Sequence, residues 1–600
     1  MVRQMSNAAS FGASLRWAVD RTIHVLKYEG VGSLARRIKN VFRRVWADGT
    51  QILPTASRPL HEQYRVWLDQ HATPAALITK GCDRAVRQKT PLISVVVISL
   101  GRQSRSVLAT IESLQQQRYL NWELLIVCSS AVAEAELPLR DDFSDSGGQI
   151  VRFVTVGEET HDHMARGVFA ASGEFVWCMR GGDRLVPHAL SSLVEVLNEK
   201  PDADLLYCDE DRVSGEEEAW VVPFFKPSWS PELLLSMNYL SYTAVFRRTI
   251  LHGIVKSFTV ASALSHYDCV LAAAEKTKNI VHIPNVLYHS SEVSTGRAAD
   301  DKSALERSLR RRNMPGFVEE ISRGRFRIRY QLFRSPLVSI IIPTKDRTAF
   351  LKRCLSSIER NTSYTPYEIV VLDNGSASED MLRYLEDVGR TWRVVVCPGR
   401  FNFSLLNNRG AAEASGEYLL FLNDDTEIVT KDWLAVMIEQ ATRPGVGAVG
   451  AKLLYPDGSI QHAGVTLGVR GVAAHAFRHT PNEEWGYHGF AHLTRNCSAV
   501  TAACMLVPRS VFDEIGGFDE GFPVEFNDVD LCLRIERKGY RIVYAPDAVL
   551  YHYESATRRG TRCLADEARA AKIWERVIRQ GDPYYPQSLT HSREDWSLDI

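Results

Sequence analysis

Two adjacent carboxylates, Asp424 and Asp425, follow directly on the apolar run Tyr418–Leu422 in the stretch Gly416-Glu-Tyr-Leu-Leu-Phe-Leu-Asn-Asp-Asp-Thr-Glu-Ile428. The run has the length and composition of a buried strand in an α/β sheet, and ligands of such sheets gather beyond the carboxyl ends of the strands. Two acidic side chains held side by side repel each other unless a positive charge sits between or beside them. A divalent cation carrying a phosphate meets that need, because hard oxygen ligands suit Mg2+ or Mn2+. An Asp-Asp pair standing alone would be a solvated turn. The rest of this chain argues for a site.

The elements that must position the pair can be read around it. Pro336-Leu-Val-Ser-Ile-Ile-Ile-Pro-Thr344 predicts a parallel strand buried on both faces. Leu351, Leu355 and Ile358 mark an amphipathic helix after it, and Tyr367-Glu-Ile-Val-Val-Leu372 a second strand, which makes a βαβ opening. The same sequence of elements occurs earlier. Pro91-Leu-Ile-Ser-Val-Val-Val-Ile-Ser99 is followed by a helix marked by Val107, Ile111 and Leu114, then by Trp122-Glu-Leu-Leu-Ile-Val127. Pro91 and Glu123 stand at the same offset from Pro336 and Glu368. Gly173-Glu-Phe175 then answers Gly416-Glu-Tyr418, and Leu287-Tyr-His289 answers Leu550-Tyr-His552. The chain therefore reads as two copies of one α/β unit with a mostly parallel sheet flanked by helices. The expected division is a basic helical segment over 1–90, a first copy over 91–291, an Arg-rich linker with a helix over 292–335, and a second copy over 336–600 that ends in a helical tail.

Composition narrows the function. The 600 residues call for about three or four domains. A formal net charge of −1 argues against a nucleic-acid partner held by bulk charge. Eleven cysteines without a CxxC fit reduced thiols rather than a disulfide scaffold or zinc site. No apolar run approaches the roughly 20 residues that span a bilayer, and no signal peptide is visible, so a cytoplasmic protein is expected. Within Gly32–Trp46, Leu34, Ile38, Val41, Val45 and Trp46 recur at helical spacing among Arg36, Arg37, Lys39, Arg43 and Arg44. Residues 32–46 thus suit a helix on the anionic cytoplasmic face of a membrane, or one packed on the next domain. A further helix is expected from His61 to His71, with Tyr64 and Trp67 on one side.

With these motifs in view, the second copy resembles bacterial family-2 glycosyltransferases of the GT-A fold. Among them it is most similar to enzymes of O-antigen and surface-polysaccharide synthesis, many described as rhamnosyltransferases. The first copy carries the resemblance more weakly. The resemblance implies that Pro343, Thr344 and Asp346 meet the nucleotide and that Asp373 recognises its base. It implies that Asn408 and Arg409, in Phe403-Ser-Leu-Leu-Asn-Asn-Arg-Gly410, lie over the donor site. Asn423-Asp-Asp425 takes the D-x-D position, which makes Asp425 the ligand of a Mg2+ or Mn2+ ion on the diphosphate, with Asn423 and Asp424 beside the sugar nucleotide. Asn423 replaces the first Asp of that pattern and adds no charge. Asp528, in Pro523-Val-Glu-Phe-Asn-Asp-Val-Asp530, becomes the base of an inverting transfer, and His552 a second metal ligand. Gln461-His-Ala-Gly464 and Trp485–His488 suit acceptor handling or loop packing, and Asp582-Pro-Tyr-Tyr585 is similar to the tail of this group.

In the first copy Cys128 stands where the second has Asp373, Arg180-Gly-Gly182 followed by Asp183 stands against Asn423–Asp425, and His266 stands against Asp528. Asp268 matches Asp530, and His289 keeps the place of His552. This predicts a degenerate copy, with a metal-free site using His266 as the rival reading. The implied function is a hexosyltransferase that moves a sugar, rhamnose among the candidates, from a dTDP- or UDP-sugar to a lipid-linked saccharide. A carbohydrate-binding scaffold and a bifunctional polymerase with two working sites are the competing classes.

Overall fold

The computed structural model describes residues 60–71, 89–99, 104–129, 150–156, 163–214, 219–258, 264–291, 298–553 and 563–600. The basic stretch 32–46 lies outside them. Residues 64–600 form one unit built on two large sheets. The first holds β1 (Ile93–Ser99), β2 (Trp122–Ser129), β3 (Ile150–Val156), β4 (Phe175–Arg180), β5 (Arg184–Leu185), β6 (Leu205–Ser214), β7 (Ala219–Phe224), β8 (Val245–Arg247) and β9 (Ile280–Ser290). Its order is β3-β2-β1-β4-β8-β6-β9-β5, with β7 on β6. A hairpin, β10 (Gly316–Ser322) and β11 (Arg325–Tyr330), follows.

The second sheet holds β12 (Val338–Thr344), β13 (Tyr367–Asp373), β14 (Arg393–Val396), β15 (Tyr418–Leu422), β16 (Thr426–Ile428), β17 (Val446–Leu454) and β18 (Ile460–His462). A separate two-stranded ribbon of β19 (Val465–Leu467) and β20 (Ala473–His475) precedes its last three strands, β21 (Arg495–Asn496), β22 (Cys504–Pro508) and β23 (Arg541–His552). The order is β14-β13-β12-β15-β22-β17-β23-β16, with β18 on β17. Strand for strand, this is the order of the first sheet. In both, the first four strands are parallel and the chain then reverses into antiparallel partners. Among the described residues no helix is long and apolar enough to cross a membrane.

The residues that reveal the sequence repeat brace each sheet in the same way. Ser339 Oγ donates to Glu368 (2.6 Å) and accepts from the Gly416 backbone N–H (2.7 Å). Ser94 Oγ donates to Glu123 (2.6 Å) and accepts from Gly173 N–H (2.8 Å). A Cβ at Gly416 would fall 2.5 Å from Ser339 Oγ, and one at Gly173 2.7 Å from Ser94 Oγ, so each approach needs glycine. Each brace ties the start of its first strand to the start of the strand that leads into the acidic turn.

Between the sheets the sequence predicts a linker with a helix. The helix is Ala298–Arg311, but an ordered hairpin follows it. Alternation explains the hairpin: Phe326, Ile328 and Tyr330 are buried, while the arginines between them reach acidic groups of the second half. Arg327 Nε donates to Asp547 (2.7 Å), and Arg329 donates to Glu439 (2.9 Å) and Asp432 (2.6 Å).

Within Trp485–His488, Tyr487 and His488 pack on the first half. The Tyr487 hydroxyl lies 2.8 Å from Phe225 N, from which it accepts, and donates to Phe225 O (3.0 Å). His488 stacks on Phe224 with ring centroids 4.0 Å apart, and its Nε2 lies 3.0 Å from Pro223 O. These side chains join the two halves. Beside them Glu232, from helix Pro231–Ser236, meets Arg443 and Arg541 of the second half, each at 3.1 Å.

Candidate active site

Strand β15 leaves the core at Leu422, and the turn to β16 carries Asn423, Asp424 and Asp425. Both carboxylates are more than nine-tenths buried. The positive charge they require is present: Arg347 donates to Asp424 Oδ1 (2.9 Å) through Nη1 and to Asp425 Oδ2 (2.9 Å) through Nη2, while stacking on Phe350. Arg347 closes the motif Pro343-Thr-Lys-Asp-Arg347, and its signal in the sequence was the electrostatic need of the acid pair. Thr344, at the end of β12, donates to Asp424 Oδ2 (2.7 Å), and Pro343 is buried inside that strand.

Burial pushes Asp424 up to about 6 against the pull of Arg347, and the charge of Asp425 adds to the rise. Burial acts on Asp425 in the same direction, but His552 and Arg347 outweigh it and hold this carboxyl well below the usual range. Strand pairing puts His552 opposite Thr426, so its ring stands next to Asp425. His552 Nε2 lies 3.1 Å from Asp425 Oδ1 and 3.2 Å from Asn423 Nδ2. Asp425 Oδ1 has no well-aligned hydrogen bond although it is buried.

That oxygen and His552 Nε2 are the pair that could hold a divalent cation. Among the described residues no three His, Cys, Asp or Glu side chains form a complete cage. A small hard cation commonly takes only one or two protein ligands beside substrate phosphates and water, so two donors at an acidic turn fit it.

Asp373 and Asp346 sit at the neighbouring strand ends. Asp373 Oδ1 accepts from Ser376 N (2.9 Å) and Ser376 Oγ (2.5 Å). Ser376 Oγ accepts in turn from Asp346 N (3.0 Å), and Asp346 Oδ1 accepts from Ala377 N and Ser378 N (2.8 Å each). Asp346 adopts a left-handed φ of 49°, and the two backbone donors lower its pKa. Asn408 is spent within the protein: its Oδ1 accepts from Phe518 N (2.8 Å) and its Nδ2 donates to Phe518 O (3.0 Å). Arg409 follows it on helix Phe403–Glu413 and is exposed.

Asp528 lies in the first turn of helix Asn527–Arg537, where the helix dipole favours a carboxylate. Oδ1 accepts from Val529 N (2.8 Å) and Oδ2 from Ala502 N (3.1 Å), which leaves each oxygen a lone pair for a further donor. One residue on, Ala503 O accepts from Asn423 N (3.1 Å). The short loop 501–503 thus joins the acid pair to Asp528. Its Thr501 N also reaches His462 Nε2 (3.4 Å).

The first sheet has a counterpart with a different outcome. Arg184 pairs with His289 as Thr426 pairs with His552, so in strand register Asp183 holds the place of Asp425, one residue later than direct alignment of Arg180-Gly-Gly182 implies. Asp183 is fully buried and saturated. Its Oδ1 accepts from Ser291 N and Ser291 Oγ (2.9 Å each), and its Oδ2 from Arg180 Nε (3.1 Å) and the Tyr288 hydroxyl. Nearby, buried Lys226 lies 3.3 Å from Glu210, and His289 Nδ1 lies 2.6 Å from Asp211, which also accepts from Tyr64 (2.8 Å). His266 is packed against Tyr242, and burial, reinforced by Arg180, lowers its pKa to about 3.

Residues 339–516 match the model of the family described as Glycosyl transferase family 2. Over 542 residues the chain is 36% identical to an uncharacterized protein of Sinorhizobium fredii, an alignment covering 85% of this chain and 59% of that protein. It is 34% identical over 580 residues to an O-antigen biosynthesis protein of Myxococcus xanthus, covering 92% of this chain and 44% of that one. A Mycobacterium tuberculosis N-acetylglucosaminyl-diphospho-decaprenol L-rhamnosyltransferase is 25% identical over 246 residues, 37% of this chain and 78% of that enzyme. The chain spans about half the length of the first two relatives.

Proposed function

From a chain whose second half carries a family-2 glycosyltransferase domain, we propose an inverting transfer of a sugar from a dTDP- or UDP-sugar to the hydroxyl of a growing, lipid-linked surface saccharide. The observation that carries this reading is the contrast between two equivalent carboxylates. Asp425 keeps a buried oxygen without an aligned hydrogen bond, facing His552, whereas Asp183 has four donors. The chemistry accordingly belongs to the second half. The first half is a copy whose acidic turn has been neutralised from within, and it serves the enzyme by packing against the second. Relatives named for O-antigen synthesis and rhamnosyl transfer support rhamnose as the sugar.

In this reading Asp373 and Asp346, held together through Ser376, meet the base and ribose. Pro343, Thr344, Asn423 and Asp424 form the floor under the sugar nucleotide, with Arg409 on the covering helix and Asn408 fixing the 517–520 loop. Asp425 and His552 would hold Mg2+ or Mn2+, which would supply positive charge against the departing nucleoside diphosphate. Asp528 takes the proton of the acceptor hydroxyl as its oxygen attacks the anomeric carbon. Its two backbone hydrogen bonds keep the carboxylate aimed while leaving it lone pairs for that proton. Residues 32–46, outside the described residues, would supply a peripheral contact with the cytoplasmic face of the membrane that bears the acceptor.

The test is calorimetric titration of UDP and dTDP, with and without Mn2+, into the intact protein and Asp425→Ala. One metal-dependent site, lost in the variant, is the expected result. Two sites, or one indifferent to metal and mutation, would move the chemistry to the first half and overturn the reading.

A further inference from the structure

We propose that Gln461 is the positioning residue that makes His552 a ligand through Nε2; the inference rests on the metal reading above. Gln461 lies on β18 and is buried, with two contacts to one residue. Its Nε2 lies 3.4 Å from the His552 carbonyl oxygen, and its Oε1 lies 2.7 Å from His552 Nδ1. A carbonyl oxygen can only accept, so the amide nitrogen must face it and Oε1 must face the ring. Oε1 in turn only accepts, so His552 carries its proton on Nδ1. In the neutral imidazole that leaves the Nε2 lone pair directed at Asp425 Oδ1 and Asn423.

In that neutral form the nitrogen lone pair, to which Asn423 Nδ2 can donate from 3.2 Å, and a carboxylate oxygen stand 3.1 Å apart. A cation could share the nitrogen and the oxygen there. Gln461 therefore does for His552 what outer-shell partners commonly do for a metal-bound histidine: it fixes the tautomer and the plane of the ring. The next residue, His462, is the acceptor for Thr501 N and Gly464 N, so the same short strand also steadies the loop that carries the Ala502 contact to Asp528. Because β18 pairs with β17, which lies beside β23, the brace is built from sheet rather than loop.

The experiment measures Mn2+ affinity of the full chain by calorimetry at saturating UDP or dTDP, for wild type, Gln461→Met, Gln461→Glu, His552→Ala and Asp425→Ala. Methionine keeps the volume of Gln461 but accepts no proton at its place; glutamate keeps the acceptor. Expected is a loss of about 10–100-fold in Mn2+ affinity for Gln461→Met. Recovery to within a few-fold is expected for Gln461→Glu, with melting temperature close to wild type in both. Should Gln461→Met fail to fold, Gln461→Ala takes its place with the same expectation. Wild-type affinity in Gln461→Met alongside loss in His552→Ala would overturn the role of Gln461 and leave the metal site standing. Loss in Gln461→Glu equal to that in Gln461→Met would also overturn it. Wild-type affinity in both His552→Ala and Asp425→Ala would instead overturn the metal reading itself.

Discussion

Removing Glu232 tests whether the two halves are held by one buried charge. Glu232 is 1% exposed and Arg443 5% exposed, so neither can recover solvation in place. One oxygen of Glu232 accepts from Arg541 Nε (3.1 Å) and lies 3.1 Å from Arg443 Nη2, and Arg443 also stacks on Tyr330 and donates to Gln440. Burial alone would raise the Glu232 pKa, but the two arginines outweigh it and keep the carboxylate ionised. Glu232→Gln leaves the buried guanidinium of Arg443 without its counter-charge, at a cost of about 3–5 kcal/mol. Replacing both residues, as Glu232→Met with Arg443→Met, removes the charge with its partner and costs much less than the two single changes together. Urea unfolding followed by tryptophan fluorescence provides the comparison. With a slope of about 3 kcal/mol/M, the single change lowers the midpoint by more than about 1 M. A coupling energy below about 0.5 kcal/mol in the double-mutant cycle would refute the argument and show that apolar contacts hold the junction.

Other expectations follow from groups at different depths. Glu536 is pushed up to about 7, first by burial and then by Asp582, so between its unfolded value near 4.5 and pH 7 the native state holds a proton that the unfolded chain has lost. Stability from this group therefore falls as pH rises through that window, by up to about 3 kcal/mol, and Glu536→Gln should flatten the melting temperature between pH 5 and 8. Asp183→Asn should cost about 1–3 kcal/mol in thermal unfolding, because an amide cannot accept from all four donors. It should leave Mn2+-dependent nucleotide binding unchanged, and a loss of that binding would restore a role to the first half. Asp528→Asn should keep nucleotide and metal binding while transfer to acceptor falls at least about 100-fold in a product assay. Equal loss of both would place Asp528 with the donor instead.

Much of the fold was legible because its pattern repeats. The Ser339–Glu368–Gly416 brace and its twin at Ser94, Glu123 and Gly173 fix three positions at once, and those are the positions that expose the repeat. The run Tyr418–Leu422 became a strand with those ends because it is apolar throughout and stops at charges. The hairpin over 316–330 was obscured by its arginines, whose partners Asp547, Glu439 and Asp432 lie more than a hundred residues away along the chain. Trp485–His488 was left open between two readings for a related reason. Aromatic side chains serve a sugar groove and a buried junction equally well, and only the approach of Phe224 and Phe225 separates the two. At the acidic turn, residue types were readable but register was not. The extra residue between Arg180 and Arg184 becomes visible only through the pairing with β9.

That register changes what the two halves have in common. Both place a carboxylate after the same strand and a histidine at the end of the same partner strand, so both face the same problem of buried negative charge. The first half solves it with resident groups: Arg180 on Asp183, Lys226 on Glu210 and His289 on Asp211. At Asp183, the counterpart of Asp425, four donors from the chain itself occupy the carboxylate. The second half shares a single arginine between Asp424 and Asp425 and leaves one oxygen beside His552 without an aligned bond. A site that must take up a charged group and later release it needs such an incomplete match, because a fully neutralised one gains nothing from the exchange. The difference between the halves is therefore less a matter of which acids remain than of whether their partners are built into the chain.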